Sequence, residues 1–182
     1  MLRGERVILR PIERADLPRL WELMEDVEVA VLADGGPIAP TSLSEYEARF
    51  EKEITERRTD RINFAVDVDG ALIGMCQLQA IDHYHGRCDL GIALGREFWA
   101  KGFGQDAVRT LAAYAFTHLD LRRIGLEVLA DDARAIGAYR AAGFIEEGRL
   151  RAYSIVEGTV RDELVMAAFR DEPPSEDSPD AP

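Results

Sequence analysis

The chain has 182 residues, of which 47% are hydrophobic and 31% are charged, and its net charge at pH 7 is −12. This length and composition suit one domain with a substantial buried core. The strongly negative charge argues against nucleic acid or an anionic membrane as the main partner. Because apolar runs stay shorter than the roughly 18 residues of a membrane span, and the N-terminus lacks a secretory core, we expect a cytoplasmic protein.

Two cysteines, Cys76 and Cys88, lie in strand-like segments of the sequence. Reduced, buried thiols are expected in the cytoplasm, and a disulfide between neighbouring strands is the alternative. Neither cysteine belongs to a CxxC pair, and His83 and His85 do not have the spacing of metal ligands on a regular helix. The sequence therefore predicts no metal site.

The first elements predicted are a strand and two helices. A short strand at 7–9 precedes a helix that Asp16 can cap and whose apolar stripe continues to Met24. The following segment, 33–42, contains two glycines and two prolines, so we expect a loop there, near the substrate entrance. A strongly charged second helix follows, with predicted limits at Ser42 or Ser44 and at about Arg58.

Strands dominate the middle of the chain. The dipeptide Asp69–Gly70 favours a tight turn and predicts a hairpin between strands at 63–68 and 72–78. A polar link at 82–87 leads to a further strand at 88–94, which a glycine-spaced loop connects to an amphipathic helix. The elements predicted after that helix, which ends near His118, are a strand at 124–129, a helix at 133–142, and strands at 144–151 and 160–167 around the turn Glu157–Gly158.

Two further features complete the organisation of the chain. Gly143 is placed as the left-handed C-terminal cap of the helix at 133–142. From Asp171 onward Pro, Ser, Asp and Glu dominate, so we expect a domain at 1–170 and a disordered acidic tail at 171–182. Hairpins that feed a strand–helix–strand centre predict a mixed α/β sheet, with ligands near the carboxyl ends of its central strands.

The loop between the strand at 88–94 and the next helix is the most informative segment. It reads Trp99-Ala100-Lys101-Gly102-Phe103-Gly104-Gln105. Bare backbone N–H groups and a positive helix end attract an anion, and glycines let a phosphate approach the backbone closely. A tight turn without a ligand is the alternative, because a single Gly-x-Gly pair is common in such turns.

A second segment, Asp132 to Phe144, favours the ligand-binding interpretation. The two segments together resemble the GNAT superfamily of acetyl-CoA-dependent N-acetyltransferases, whose loop reads Arg/Gln-x-x-Gly-x-Gly/Ala. Trp99 departs from the first position of that loop and is similar to the branch of ribosomal-protein N-terminal acetyltransferases. The second family motif is Asn-x-x-Ala-x-x-x-Tyr-x-x-x-Gly-Phe, and its counterparts here are Asp132, Ala135, Tyr139, Gly143 and Phe144.

The resemblance covers roughly residues 5–169 and extends to bacterial spermidine N-acetyltransferases. Shared features include the run from Ile81 to Asp89, whereas Gln77 and Ala80 stand where that group tends to carry carboxylates. The implied fold is α/β (α+β), with a mixed, mostly antiparallel sheet of six to seven strands flanked by about four helices. The implied co-substrate is acetyl-CoA.

The resemblance also implies a set of site residues. Backbone of the strand at 88–94 would pair with the pantetheine arm, one N–H would polarise the thioester carbonyl, and the glycine loop would bind the pyrophosphate. The residues so implied for acetyl-CoA binding are Ile92, Ala93, Leu94, Trp99, Ala100, Lys101, Gly102, Phe103, Gly104, Gln105, Asp132, Ala135 and Tyr139. Asp132 should still cap its helix, but a carboxylate cannot donate the hydrogen bonds of an amide.

Tyr139 occupies the acid position of the family, where a phenol can protonate the departing CoA thiolate; core packing is the structural alternative. Asp82, Asp89 and Glu127 are candidates for substrate binding or for the general base, which a lysine-like amine with a pKa of about 10.4 requires. Each of them can equally be a solvated or hydrogen-bonded structural residue. Trp21, Met24 and Phe50 are expected in the core, or at the acceptor cleft.

The predicted function is transfer of acetyl from acetyl-CoA to a primary amine by direct attack in a ternary complex, since no Cys or Ser lies in a motif that an acyl-enzyme would require. Candidate acceptors are a protein N-terminus, a polyamine or another small amine. The alternative is a non-catalytic acyl-CoA sensor or scaffold with a GNAT-like fold. The sequence leaves both a monomer and a homo-oligomer open.

Overall fold

A single eight-stranded sheet organises the described part of the chain, which comprises residues 1–34, 39–56 and 59–170 of a computed structural model. The strands are β1 (Leu2–Arg3), β2 (Ile8–Arg10), β3 (Ile62–Val68), β4 (Ala71–Asp82), β5 (Arg87–Leu94), β6 (Arg123–Leu129), β7 (Ile145–Val156) and β8 (Thr159–Phe169). The α-helices are α1 (Leu17–Met24), α2 (Val27–Asp34), α3 (Leu43–Glu56), α4 (Phe103–His118) and α5 (Ala133–Ala141).

The sheet order is β1-β2-β3-β4-β5-β6-β8-β7, and every neighbouring pair is antiparallel except β5 and β6. A parallel pair needs a crossover, and α4 supplies it. The β5–β6 register contains Arg87↔Arg123, Cys88↔Ile124 and Asp89↔Gly125. Both strands continue beyond these pairs, to Leu94 and Leu129, so they separate and leave an opening in the middle of the sheet.

The core lies where α4 packs against the central strands. The buried side chains of α4 are mostly small, which lets the helix backbone approach the sheet closely. Leu111 of α4 is fully buried, as are Leu78 of β4, Ile124 of β6 and Met166 of β8. These residues belong to one continuous apolar cluster, which provides a rigid support for the opening between β5 and β6.

The predicted fold class is confirmed, with one strand and one helix more than the sequence indicated. The first addition is β1, a two-residue strand that pairs Leu2 with Leu9. The second is α2, which includes residues 33 and 34 of the predicted loop at 33–42; residues 35–38 of that loop lie outside the described residues. Three valines make α2 a poor helix by propensity, and buried Val29 indicates that tertiary packing stabilises it.

Other boundaries differ by a few residues, and the role predicted for Asp16 was wrong. Its carboxylate does not cap α1. It accepts hydrogen bonds from Arg10 at 2.7 and 2.8 Å and from the backbone N–H of Glu13 at 2.8 Å. The charged helix predicted to follow the loop is α3, which ends at Glu56. Its predicted end at Arg58 and the predicted tail at 171–182 lie outside the described residues.

Both cysteines are buried free thiols, so the disulfide alternative is wrong. Burial, followed by the charge of Asp89, raises the pKa of Cys88 to about 12. In the described part of the chain, no helix combines the length and apolar character needed to cross a membrane.

Candidate active site

The opening between β5 and β6 forms a cleft of about 580 Å³, which we call the donor cleft. Its walls come from β5, β6, α5 and the start of α4. The predicted site residues that line it are Ile92, Ala93, Leu94, Trp99, Gly104, Glu127, Asp132, Ala135 and Tyr139. The structure therefore brings residues from both sequence motifs to one surface. The lining does not include the other predicted loop residues, which flank Trp99 and Gly104 in the chain: Ala100, Lys101, Gly102, Phe103 and Gln105.

The glycine loop ends in an α-helix whose N-terminus has no side-chain cap. Gly102 is the N-cap residue and has a φ of +83°, a conformation that favours glycine. A Cβ at this position would also lie 2.8 Å from Nη1 of Arg6. Because Gly102 has no side chain to accept hydrogen bonds, the first N–H groups of α4 remain available to an anion, and Gly104 places them at the cleft.

Asp106 supports this loop, and its role was not predicted from the sequence. Its carboxylate is buried, with an exposed fraction of 6%, and accepts hydrogen bonds from the backbone N–H groups of Glu5 (3.2 Å), Arg6 (2.8 Å) and Val7 (3.0 Å). Arg6 in turn donates to the carbonyl of Lys101. The N-terminal segment is thus fixed to α4 and braces the glycine loop from outside.

Trp99 and Asp132 meet across the mouth of the donor cleft. The indole Nε1 of Trp99 donates to the carbonyl of Leu94 at 2.7 Å, which fixes the loop to the end of β5. Asp132 caps α5, as predicted, by accepting a hydrogen bond from the N–H of Ala135 at 2.9 Å. Arg134 lies between the two, with its guanidinium carbon 4.1 Å from the centre of the Trp99 ring.

Tyr139 is positioned by the C-terminus of α5. Gly143 has a φ of +94°, which confirms the predicted left-handed cap. The N–H of Phe144 donates to the carbonyl of Tyr139, and the N–H of Gly143 donates to the carbonyl of Arg140, both at 3.0 Å. These two hydrogen bonds are those of a Schellman motif. The rings of Tyr139 and Phe144 are 5.9 Å apart. Burial, and secondarily the charge of Asp132, raise the pKa of Tyr139 to about 12.

This geometry predicts opposite effects for two glycines of the same region. Gly143→Ala should lower the free energy of unfolding by about 1 kcal/mol, because a Cβ is strained at positive φ. Gly137→Ala, in the middle of α5 with open space around its Cβ, should raise it by roughly 0.5–1 kcal/mol. Urea denaturation of both variants measures the two changes in the free energy of unfolding. Changes of the same sign would contradict the assignment of Gly143 as the cap.

Two glutamates, Glu127 and Glu163, line the donor cleft, and Asp89 lies near enough to influence Glu127. Partial burial, and then the negative charges of Glu163 and Asp89, raise the pKa of Glu127. Glu163, which sequence reasoning missed, lines the cleft and accepts a hydrogen bond from the hydroxyl of Ser154. Asp89 is exposed, beside Gly125 at the last β5–β6 pair, where its Oδ1 would lie 2.9 Å from a Cβ on that glycine.

Asp82 is not part of this group. Its carboxylate accepts hydrogen bonds from the backbone N–H of His85 at 3.0 Å and pairs with Nδ1 of the same residue at 2.7 Å. These bonds lower the pKa of Asp82 and stabilise the β4–β5 hairpin. Among the residues that the structure describes, Asp82 lines neither this cleft nor the second one described below.

A β-bulge in β7 brings two further side chains to the donor cleft. The β7–β8 register shifts between Leu150 and Ser154, and Ala152 has a φ of +53°. The N–H of Ala152 donates to Asp162 at 2.8 Å, which stabilises the irregular backbone. Tyr153 and Ser154 consequently line the cleft. Strand alternation in the sequence gives no sign of this shift, so neither residue was predicted.

A second cleft, of about 430 Å³, adjoins the donor cleft. It is lined by Trp21, Met24 and Phe50, the apolar residues expected at the acceptor side or in the core. The two clefts share residues in the middle of β4 and β5, namely Gln77, Gly91, Ile92 and Ala93. Ligands in the two clefts would therefore meet at β5. No group of three or more potential metal ligands occurs within residues 1–34, 39–56 and 59–170.

Comparison with known proteins identifies the family. The profile of the acetyltransferase (GNAT) domain matches residues 6–145. The chain belongs to the GNAT acetyltransferases. It is 32% identical over 165 residues to a spermidine N(1)-acetyltransferase of Escherichia coli, with 90% of this chain and 86% of the relative covered. It is 30% identical over 169 residues to an N-acetyltransferase of Bacillus licheniformis named p20, with 92% and 95% covered.

A solved structure agrees with this assignment. The spermidine N-acetyltransferase from Vibrio cholerae, in complex with CoA and spermine, superposes with a TM-score of 0.82 at 27% identity, over 91% of this chain and 96% of that one. The chain is thus an N-acetyltransferase that transfers the acetyl group of acetyl-CoA to an amine. The comparisons do not favour the non-catalytic alternative.

Proposed function

We propose that donor and acceptor bind together at the β5–β6 opening and that the amine attacks the thioester directly. The observation that most supports this proposal is that Ile92 and Ala93 line both clefts. An amine in one cleft can therefore reach a thioester in the other. An acyl-enzyme on Cys76 finds no support here, since burial raises the pKa of its thiol and disfavours the thiolate.

In the donor cleft, backbone groups bind and polarise the acetyl-CoA, and the phenol of Tyr139 acts as the acid. The edge of β5 beyond Asp89 pairs with the pantetheine arm, and the amides that follow Gly102 bind the diphosphate. One β5 N–H polarises the thioester carbonyl. Tyr139 donates its proton to the thiolate that leaves when the tetrahedral intermediate collapses.

For the acceptor, we propose a primary amine that carries additional positive charge, as a polyamine does. Glu127 and Glu163 in the lining of the donor cleft, with Asp89 nearby, supply negative charge that attracts such a cation. The relatives named for spermidine support this class. Turnover of spermidine, an aminoglycoside, a free amino acid and a peptide N-terminus, measured by release of free CoA, tests it. Preference for an uncharged or anionic amine would overturn the proposal.

Glu127 is the proposed general base. It must be ionised to accept the proton of the attacking ammonium, so kcat/KM should fall as the pH falls through its pKa, which lies above the ordinary glutamate value of 4.5. Glu127→Gln should remove the limb that this carboxylate sets and lower kcat/KM on the order of 100-fold at neutral pH. The alkaline limb of the amine substrate should remain in both proteins, and an unchanged acidic limb in the variant would assign the base elsewhere.

The remaining proposals concern context. We place the protein in the cytoplasm, supported by its two free thiols, and without nucleic acid as a partner, supported by its net charge of −12. Residues 1–170 form one catalytic domain, followed by the acidic segment 171–182. Homo-oligomerisation is supported by apolar side chains exposed along the edge strand β7, at Ile145, Tyr153 and Ile155.

A further inference from the structure

Arg134 is a basic side chain in the lining of the donor cleft. It lies in the first turn of α5 and lines the cleft together with Trp99 and Gly104. Its guanidinium carbon is 4.1 Å from the centre of the Trp99 ring, and its Nη2 is 3.1 Å from Oδ2 of Asp132. We refer to these three residues, Trp99, Asp132 and Arg134, as the Arg134 stack.

The geometry of the stack limits how Arg134 can move. The Trp99 ring on one side of the guanidinium and the Asp132 carboxylate at Nη2 restrict the positions that Arg134 can take. Asp132 is itself fixed by capping α5, and Trp99 by its bond to the Leu94 carbonyl. With 40% of its side chain exposed and four of its five N–H donors not engaged by Asp132, the guanidinium can still bind a ligand.

Two other cations near this site, Lys101 in the glycine loop and Arg6 beside it, each lie against an aromatic ring. Nζ of Lys101 is 5.9 Å from the centre of the Phe98 ring, and Arg6 donates to the Lys101 carbonyl while it stacks on Phe103 at 4.6 Å. The loop thus offers backbone N–H groups and a helix end, which bring partial charge only. A diphosphate bound there carries formal charge that these amides do not neutralise.

We propose that Arg134 binds the diphosphate of the acyl donor from the N-terminal end of α5, with Trp99 and Asp132 as positioning residues. This inference rests on the placement of the diphosphate at Gly102 and Gly104 under the proposed function. It also gives Asp132 a purpose in this chain, where the family motif has Asn. A carboxylate cannot donate a hydrogen bond to the acyl-CoA, but it orients a guanidinium that can.

The role of Arg134 is tested by comparing the wild type with Arg134→Gln on three acetyl donors. With acetyl-CoA, and equally with acetyl-dephospho-CoA, KM for the donor should rise about tenfold while kcat stays within about twofold, because a charge-assisted contact made equally in ground and transition states is lost. With S-acetyl-pantetheine, which retains the thioester and the arm but has no phosphate, wild type and variant should give the same kinetic constants. Rising ionic strength should shrink the difference seen with acetyl-CoA.

Each other outcome overturns the assignment. An unchanged KM for acetyl-CoA would show that Arg134 does not contact the donor. A similar rise with S-acetyl-pantetheine would indicate a structural effect on the cleft. A rise confined to acetyl-CoA would move the contact to the 3′-phosphate, which acetyl-dephospho-CoA lacks.

Matched variants separate this inference from the proposed function. Arg140→Gln removes an equal charge from the same helix, where Arg140 pairs with Glu146 at 3.3 Å, and should leave KM for acetyl-CoA unchanged. Gly102→Ala disturbs the loop and should raise KM for acetyl-CoA whether or not Arg134 contributes. If Gly102→Ala has this effect and Arg134→Gln does not, the diphosphate site stands and only the role of Arg134 is wrong.

Discussion

Tyr139→Phe should lower kcat about 100- to 1,000-fold and leave the Kd for CoA nearly unchanged, because general acid catalysis typically contributes 10²–10⁴-fold. The substitution removes one hydroxyl and keeps the ring that packs on Phe144 at 5.9 Å. Burial raises the pKa of Tyr139 to about 12, so the phenol is protonated at neutral pH and can act as a proton donor. Steady-state kinetics with a good amine acceptor, combined with calorimetric titration of CoA, measures both quantities.

The pH profile adds a second check on this role. Activity that depends on protonated Tyr139 should be lost only as the pH rises through about 12, so the phenol imposes no alkaline limb in the ordinary assay range. Tyr114→Phe is the control, since the Tyr114 ring packs edge-to-face against Phe64, with ring centroids 5.7 Å apart, and is not part of the donor cleft lining given by the described residues. A kcat for Tyr139→Phe within threefold of wild type would remove Tyr139 from the mechanism.

Asp106→Ala should lower the free energy of unfolding by roughly 2–4 kcal/mol, because three backbone N–H groups lose their acceptor. Asp106→Asn should cost nearly as much. The native carboxylate accepts through both oxygens, Oδ1 from Glu5 and Oδ2 from Arg6 and Val7, and an amide would turn an NH₂ group toward one of these donors. Chemical denaturation of the two variants measures the effect.

The control for Asp106 is another acidic residue of the same contact region. Glu5 has 80% of its side chain exposed and lies 3.6 Å from Arg109, so Glu5→Gln should change stability by less than about 1 kcal/mol. Both Asp106 variants should also weaken CoA binding, since the segment that they release carries Arg6, which braces the glycine loop at Lys101. Wild-type stability in Asp106→Asn would show that the three bonds contribute little.

The fold was predictable wherever a local pattern decided it. Asp69–Gly70 and Glu157–Gly158 both form the expected turns with positive φ, and Gly143 caps α5 because only a residue without Cβ enters that conformation without strain. β1 and α2 were missed for the opposite reason. A two-residue strand exists only through its pairing with β2, and valine-rich α2 forms against its own propensity because Val29 is buried by its neighbours.

The candidate site divides in the same way. The glycine loop and the α5 motif are each a short continuous segment, so the resemblance to the family grouped their residues before the structure did. Tyr153 and Ser154 reach the donor cleft through a register shift around Ala152, and strand alternation cannot reveal a bulge held by a distant hydrogen bond to Asp162. Glu163 reaches it through the pairing of β8 with β6, which sequence alone does not give. Asp106 resembles an ordinary charge in the first turn of a helix, and its burial depends on residues about 100 positions away.

The separation of β5 from β6 after Asp89 and Gly125 affects how readily such a protein can acquire new acceptors. A donor recognised through main-chain groups makes few demands on side-chain identity along that strand. Substitutions at the surrounding positions can then reshape the amine pocket without loss of the shared co-substrate. One scaffold can in this way diversify its chemistry toward different amines while the acyl source stays the same.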